Sequence, residues 1–331
     1  MTGGGQMISI KGICRFLLLP LFFLTLGLLA TWPAQAGETF IAVVITGDLP
    51  RYRQAHEAFV QGLHAGGMTE DKIRIYIQNP NPDPVSWSNS IRKAVGVGAN
   101  LIVTYGAPAS LAAKSEARKI PVLFADVYDP AAVGIVKEMA RPGYEVTGVS
   151  SKTPLETLIR AYGEIQPVRR MGVLYSSDDQ GSVLQVEQLE VFARNRGFTI
   201  LRQDIRRVDA VAPALKALAG QIDCLFSAES ALLNLRMDEI LSFSDQHMIP
   251  VLSQTPGLSD EGALITLEAD PVEQGQLLAA SALQVLAGKN PRDLPVLTPK
   301  KVSLVINLKV ASKFGLKVPF QALSLATRVI R

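Results

Sequence analysis

The chain is poor in the residues that carry most protein chemistry. It has two cysteines and three histidines in 331 residues, and aromatics make up 6%. Cys14 falls in an N-terminal segment that reads as removed on export, so Cys224 alone remains and no intramolecular disulfide can form. Cys224 lies in the apolar run 222–226 (IDCLF), where a thiol is inert packing material rather than a nucleophile. His56, His64 and His247 are far apart and have no cysteine or carboxylate cluster beside them, which excludes a zinc site. No G-x-S-x-G elbow and no G-x-x-x-x-G-K-[ST] loop occurs, and Gly96-Val97-Gly98 precedes a strand instead of opening a helix. Serine hydrolase, phosphate-loop and dinucleotide readings therefore have no carrier. The chain also lacks a run rich in Lys and Arg. Removing Lys11 and Arg15 with the leader leaves 31 basic residues against 30 acidic, so nothing supports a nucleic-acid partner.

What is present begins with a targeting segment. Lys11 and Arg15 form a short positive region, 16–30 is almost wholly apolar, and Ala34-Gln35-Ala36 supplies the small-x-small pattern of a signal-peptidase site. The apolar run is shorter than a comfortable membrane span and contains Pro20 and Gly27, so cleavage after Ala36 and release into the periplasm are expected. No later stretch is long and apolar enough to span a bilayer.

From residue 40 onward the chain alternates strand and helix, and does so twice. Apolar, β-branched runs at 40–45, 72–77, 101–104, 121–125 and 146–149 predict five strands, with helices at 52–63, 91–97, 108–118 and 130–139 between them. The second half repeats the scheme with strands at 171–175, 198–202, 222–226 and 250–252 and helices at 183–196, 210–219 and 231–246. Strands that are continuous apolar runs joined by helices imply parallel sheets covered on both faces. Ile120-Pro121-Val122-Leu123 recurs as Ile249-Pro250-Val251-Leu252 at a matching place in each half. The expected fold class is α/β: two doubly wound parallel-sheet lobes, with the leader at 1–36, a first lobe of 37–149 and 269–290, and a second of 150–268 and 291–331.

Open α/β sheets bind ligands beyond the carboxyl ends of their strands, where helix N-termini present unpaired N–H groups. The loops at those ends carry the candidate ligand contacts: Thr46, Gly47, Tyr105, Gly106, Ala107, Asp126, Tyr128, Asp129, Ser150, Ser176, Ser177, Ser227, Glu229 and Ser253. Each Ser, Thr or Asp here serves equally well as a helix cap, and Asp129 before Pro130 has the form of a helix start. Tyr105, Tyr128, Tyr175 and Phe226 can stack on a ligand or pack in the core. Glu229 and Glu268 are further carboxylates available to a cation.

Residues 125–130 (ADVYDP) with Gly134-Ile135-Val136, Arg141-Pro142-Gly143 and 146–150 (VTGVS) resemble the signature block of the ABC-type substrate-binding proteins. Similar to the family's segments are also Ile165-Gln166-Pro167 leading into 171–175, the stretch 290–296 (NPRDLPV), 305–309 (VINLK) and 314–319 (FGLKVP). The resemblance spans nearly all of 40–320. It implies the type I periplasmic-binding fold, with three crossovers and a ligand enclosed between the lobes, and a link to amino-acid uptake, aromatic amino acids in the best understood members. Two departures bear on the ligand: Gly106-Ala107-Pro108-Ala109 lacks the hydroxyl of the family's Gly-Thr-x-Ala turn, and Ser227-Ala228-Glu229-Ser230 differs from the family's second-lobe turn.

The expectation is thus a periplasmic, monomeric solute-binding component of an ABC importer. It would need no cofactor and no metal, close on a small polar solute by hinge motion, and deliver it to an inner-membrane permease. A sensor presenting its closed form to a membrane receptor is the alternative, and an exported α/β enzyme is disfavoured because no nucleophile–base pair is in evidence.

Overall fold

The computed structural model describes residues 1–4 and 38–331; the positive region, apolar run and cleavage site of the leader, with Cys14, lie outside them. Strands β1 (Thr39–Ile45), β2 (Ile73–Gln78), β3 (Leu101–Tyr105), β4 (Val122–Val127) and β5 (Val146–Ser150) form an all-parallel sheet in the order β2-β1-β3-β4-β5. The continuous apolar run of β1 is explained by its two partners. Ile41, Val43 and Ile45 pack into the core beneath α1 (Pro50–Ala65), while Phe40, Ala42 and Val44 face the core beneath α2 (Pro84–Gly96) and α3 (Ala107–Glu116).

The second sheet contains β6 (Arg170–Tyr175), β7 (Thr199–Asp204), β8 (Cys224–Ser227), β9 (Val251–Ser253), β10 (Ile265–Ala269), β11 (Val302–Asn307) and β12 (Arg328–Ile330), ordered β7-β6-β8-β9-β10-β11-β12. Its first five strands repeat the order of the first sheet, so β4 and β9 are equivalent, and both copies of Ile-Pro-Val-Leu run into these equivalent strands. Helices α4 (Leu155–Ile165), α5 (Gln180–Arg196), α6 (Val211–Leu218), α7 (Ala231–Asn234) and α8 (Met237–His247) cover it, with a short α9 (Leu258–Glu261) before β10.

The lobes exchange chain three times. The first crossing follows β5 into α4. The second leads from β10 into α10 (Pro271–Leu286), which lies against α1 of the first lobe with Leu278, Ala279, Ala282 and Val285 in its core. After α10 the chain remains on the first lobe: Leu294 and Val296 are buried under the first sheet, Leu297 N–H donates to Gly148 O at 2.9 Å, and Ser150 N–H donates to Leu297 O at 2.9 Å. This segment extends the sheet past β5 and shields its edge. The return to the second lobe therefore falls after Leu297, not after residue 290 as expected. Beyond it come β11, α11 (Leu308–Lys313), α12 (Phe320–Leu325) and β12.

Three further expectations are corrected. No helix forms at 130–139. Asp129 caps one turn, whose N–H groups at Val133 and Ile135 donate to Asp129 O and Pro130 O, and Gly134 at φ 83° then ends it so that Ile135 and Val136 enter the core together. The helix expected at 231–246 is split at Leu235 and Arg236 into α7 and α8. The second sheet is not wholly parallel, because β11 enters from the first lobe and pairs antiparallel to β10.

Gly275 is where α10 and α1 approach most closely: a methyl group there would fall on the Ala55 carbonyl oxygen and within 2.8 Å of Ala58 Cβ. Gly275→Ala on an unconstrained helix would stabilise by about 1 kcal/mol. Here it is expected to destabilise by about 1–3 kcal/mol in urea denaturation, because the helices must separate. An unchanged or raised midpoint would refute this packing.

Candidate ligand-binding site

The loops at the carboxyl ends of the two sheets meet. Gly47, after β1, lies so close to the start of α7 that an added Cβ would stand 2.8 Å from Ala231 Cβ. Tyr128, after β4, donates its hydroxyl to Gln188 Oε1 on α5 at 2.6 Å, and a Cβ on Gly181 would stand 3.3 Å from Tyr128 Cβ. The structure is therefore a closed form, with both lobes in contact across the seam.

The first lobe contributes an ion pair buried in this seam. Arg51 sits in the first turn of α1, and its Nε donates to Asp126 Oδ2 at 2.5 Å, with both side chains under 10% exposed. The guanidinium lies 4.7 Å from the centre of the Tyr52 ring. Asp126 adopts φ 55° at the end of β4, a left-handed conformation that costs energy for a non-glycine residue. Its N–H donates to Gln274 Oε1 at 2.9 Å, and Gln274 Nε2 reaches back to Asp126 Oδ1 at 3.5 Å. Burial opposes the charge on Arg51, but the neighbouring Tyr52 hydroxyl together with the carboxylates of Asp126 and Glu229 outweighs it and holds the guanidinium more firmly protonated than in water.

The second lobe contributes two carboxylates at the centre of the seam, with Arg206, Arg207 and Arg236 at its mouth opposite Asn81 and Asp83. Asp179 caps α5, accepting from Gly181 N–H at 3.0 Å and Ser182 N–H at 3.4 Å. Glu229 follows β8; its N–H donates to Gln185 Oε1 at 2.8 Å, and Gln185 Nε2 donates to Glu229 Oε2 at 3.3 Å and Gln254 Oε1 at 3.0 Å. Gln254 in turn donates to Thr153 Oγ1. Burial pushes the Asp179 carboxyl up to about 6, against the pull of its two backbone N–H donors. Glu229 is also pushed well above the usual carboxylate range, first by burial and then by the negative charge of Asp126. Burial lowers His56 on α1 to about 4, so its imidazole is neutral at physiological pH; Nδ1 lies 3.3 Å from the Tyr105 hydroxyl.

The expected contacts divide into two groups. Gly47, Ala107, Asp126, Tyr128 and Glu229 meet at the seam, and Thr46 and Ser176 border a small interlobe cavity of ≈ 10 Å³ beside Asp179 and Trp87. Others are committed to the fold. Thr46 Oγ1 donates to Tyr105 O at 2.6 Å and accepts from Ala109 N–H at 3.3 Å, and Tyr105 is fully buried in the first-lobe core. Gly106, at φ 88°, opens α3 where a Cβ would stand 2.5 Å from the Tyr52 hydroxyl. Asp129 pairs with Lys152 at 2.5 Å, and Ser150 Oγ accepts from Lys152 N–H at 3.2 Å. Ser177 gives both its N–H and its hydroxyl to Asp204; Ser253 donates to Ser227 O at 2.8 Å. Glu268 accepts from Thr266 Oγ1.

Sequence reasoning missed Arg51, Asp179, Gln185, Gln254 and Gln274. A signal existed for two of them: Arg51 shares a helical face with Ala55, Ala58 and Phe59, and Gln185 shares one with Ser182 and Leu189, so both are polar residues at core-facing spacing.

The family model described as ABC transporter substrate binding protein matches residues 40–330. The chain belongs to this family. It is 26% identical over 260 residues to the tyrosine-binding protein of Clostridioides difficile (strain R20291), covering 78% of this chain and 75% of that one. It is similar to a solved ABC domain from Streptococcus pneumonia in complex with L-Trp, at 25% identity and TM-score 0.84, covering 88% of this chain and all of the other. Against the ligand-free, open structure of a Clostridium difficile substrate binding protein, at 24% identity, 88% of this chain covers 99% of the other and the TM-score is 0.65. The family binds small solutes for a permease and is not a family of enzymes. Among the described residues no helix is long and apolar enough to cross a membrane.

The raised carboxyl groups set a pH dependence whose sign is fixed. The closed fold retains protons that the unfolded chain has released, so stability is greatest below the ordinary aspartate value of about 4 and falls as pH rises through the folded value. For Asp179 that value is about 6, and Glu229 carries the loss further up the scale. Asp179→Asn keeps the cap and removes the charge. In the closed form its melting temperature relative to wild type is expected to climb between pH 4 and pH 7; a constant difference would refute burial of the charge.

Proposed function

We propose that this protein is the periplasmic solute-binding component of an ABC importer. It captures an amino acid or a related ammonium compound between lobes 37–149 with 269–297 and 150–268 with 298–331, and presents the closed form to an inner-membrane permease. The observation that supports this reading is the placement of Asp179 and Glu229, two largely buried carboxyl groups whose ionised form a ligand ammonium would stabilise, on the lobe that swings onto Arg51 and Asp126. An ammonium group held there touches both lobes only when they are shut, so its binding shifts the equilibrium toward closure. The L-Trp and tyrosine named for similar proteins place aromatic amino acids first in the panel to be tried. The leader at 1–36 sends the chain through the inner membrane, where cleavage after Ala36 frees it as a monomer.

Isothermal titration with an amino-acid panel, paired with small-angle scattering, tests the central step. Binding is expected to reduce the radius of gyration, and a solute that binds without compaction would remove hinge closure from the account. Gly47→Val places a side chain against Ala231 only in the shut form. It is expected to weaken binding roughly tenfold or more while leaving the ligand-free melting temperature unchanged. Mass spectrometry of protein recovered from a periplasmic extract should give a mature N-terminus at Gly37; a retained leader would contradict release.

A further inference from the structure

The first lobe carries a second hollow, at the end of its sheet away from the seam. Strand β5 reaches the seam at Ser150 and begins at Val146, and α3 starts at the seam with Ala107 and ends at Glu116. A cavity of ≈ 660 Å³ lies between the last turn of α3, the entry to β5 and the segment after α10. Lys114, Arg118 and Arg292 line it, and Glu145 is the one acidic residue in its wall. Glu145 is already bonded to Arg292, and Glu116, the other carboxylate close to Arg118, is bonded to Arg92 at 2.7 Å. Tyr144 completes the wall, with Lys114 Nζ 4.3 Å and Lys137 Nζ 5.4 Å from the centre of its ring. Two ammonium groups thus share one ring, and among the described residues neither they nor Arg118 forms an ion pair with a carboxylate. The carbonyl end of a helix favours cations, which accounts for Lys114 and Arg118 on α3. It does not account for Lys137 and Arg292, which come to the same place from the loop between β4 and β5 and from the segment after α10. Both lysines are held: Lys114 Nζ donates to Gly134 O, and the Lys137 stem packs on Gly143, where a Cβ would stand 2.8 Å from its Cδ.

We propose that this hollow binds a phosphate group carried on a small organic molecule. The site is independent of solute capture at the seam, because every residue in it belongs to the first lobe. Four cations around one hollow, with a single carboxylate among them, suit a multiply charged anion. A phosphate monoester brings roughly two negative charges and three acceptor oxygens, whereas a carboxylate neutralises one cation and leaves the rest. Arg118 uses only its Nε, which donates to Ser115 O at 3.2 Å, so its terminal N–H groups remain for a two-point contact with phosphate oxygens. Leu111, Val146 and the Tyr144 ring give the remainder of the molecule an apolar wall. A soluble phosphate ester and the headgroup of an anionic lipid share this chemistry.

Two probes separate these sources. Glycerol 3-phosphate is titrated calorimetrically into the purified protein, and phosphatidylcholine vesicles with and without phosphatidic acid are tested by flotation. Saturable one-to-one binding of glycerol 3-phosphate is the result expected of a soluble ester, and capture by phosphatidic acid vesicles alone assigns the site to a lipid headgroup. In either arm Lys114→Ala and Arg118→Ala are each expected to weaken binding roughly fivefold or more. Arg118 is exposed, so its variant keeps the test valid should Lys114→Ala disturb the fold. The radius of gyration is expected to stay unchanged on binding glycerol 3-phosphate, since one lobe makes every contact. Binding of neither probe, binding that survives both substitutions, equally tight binding of acetate at matched ionic strength, or compaction by glycerol 3-phosphate would each overturn the assignment, and all leave capture at the seam standing.

Discussion

The structure depends on how charge is divided across the closing seam. The first lobe arrives with Arg51 and Asp126 already neutralising each other. The second arrives with Asp179 and Glu229, held by the backbone N–H groups of α5 and by the Gln185 amide. Shutting the lobes strips water from both carboxylates at once, and each is pushed toward its neutral form as a result. Desolvation of these carboxylates opposes closure, while the attraction of Arg51 and the contacts of Gly47 with Ala231 and of Tyr128 with Gln188 favour it. A ligand that supplies positive charge shifts this balance because it interacts differently with the two states, which is the condition for any ligand to drive a conformational change.

The duplicated fold makes such a division possible. Equivalent strands end in loops that face each other, so the halves share geometry while their chemistry differs. Glu229 follows β8 where Gly106 and Ala107 follow the equivalent β3, and Asp179 follows β6 where Arg51 follows the equivalent β1. One scaffold position thus carries a cap on one side and a charge on the other. The strain at Asp126, held at φ 55°, is retained beside the ion pair that fixes its carboxylate.

The scaffold was legible because β1, β3, β4, β6 and β8 are apolar on both faces, a pattern only a covered parallel sheet requires. The loops that would meet were legible for the same reason, since strand ends follow from strands. The short strands β10 to β12 were not, because β10 alternates into Glu268 and β11 pairs only after the chain has visited the other lobe. The false helix at 130–139 came from an Asp-Pro start that caps a single turn, with Gly134 four residues on ending it. Among the site residues, Asp126 and Glu229 stood at strand ends and were visible there. Arg51 and Gln185 lie within helices, where their role depends on a lobe far away in sequence that no local pattern reports. Asp179 is a helix cap at a strand end like several others; its second property, burial against the opposite lobe, exists only in the closed form.

Closure and specificity are then a single energetic problem. The seam's glutamine amides are bonded within the protein, while Arg51 gives Asp126 its Nε alone and the buried hydroxyls of Ser151 and Ser227 have no partner, so both donors and acceptors face an entering solute. The aromatic rings nearby supply surface without charge: Tyr52 lies under the Arg51 guanidinium, and Tyr128 is tied to Gln188. Selection would operate at the moment of lobe contact, since polar groups stripped of water on either lobe must find partners on the solute or on the opposite lobe.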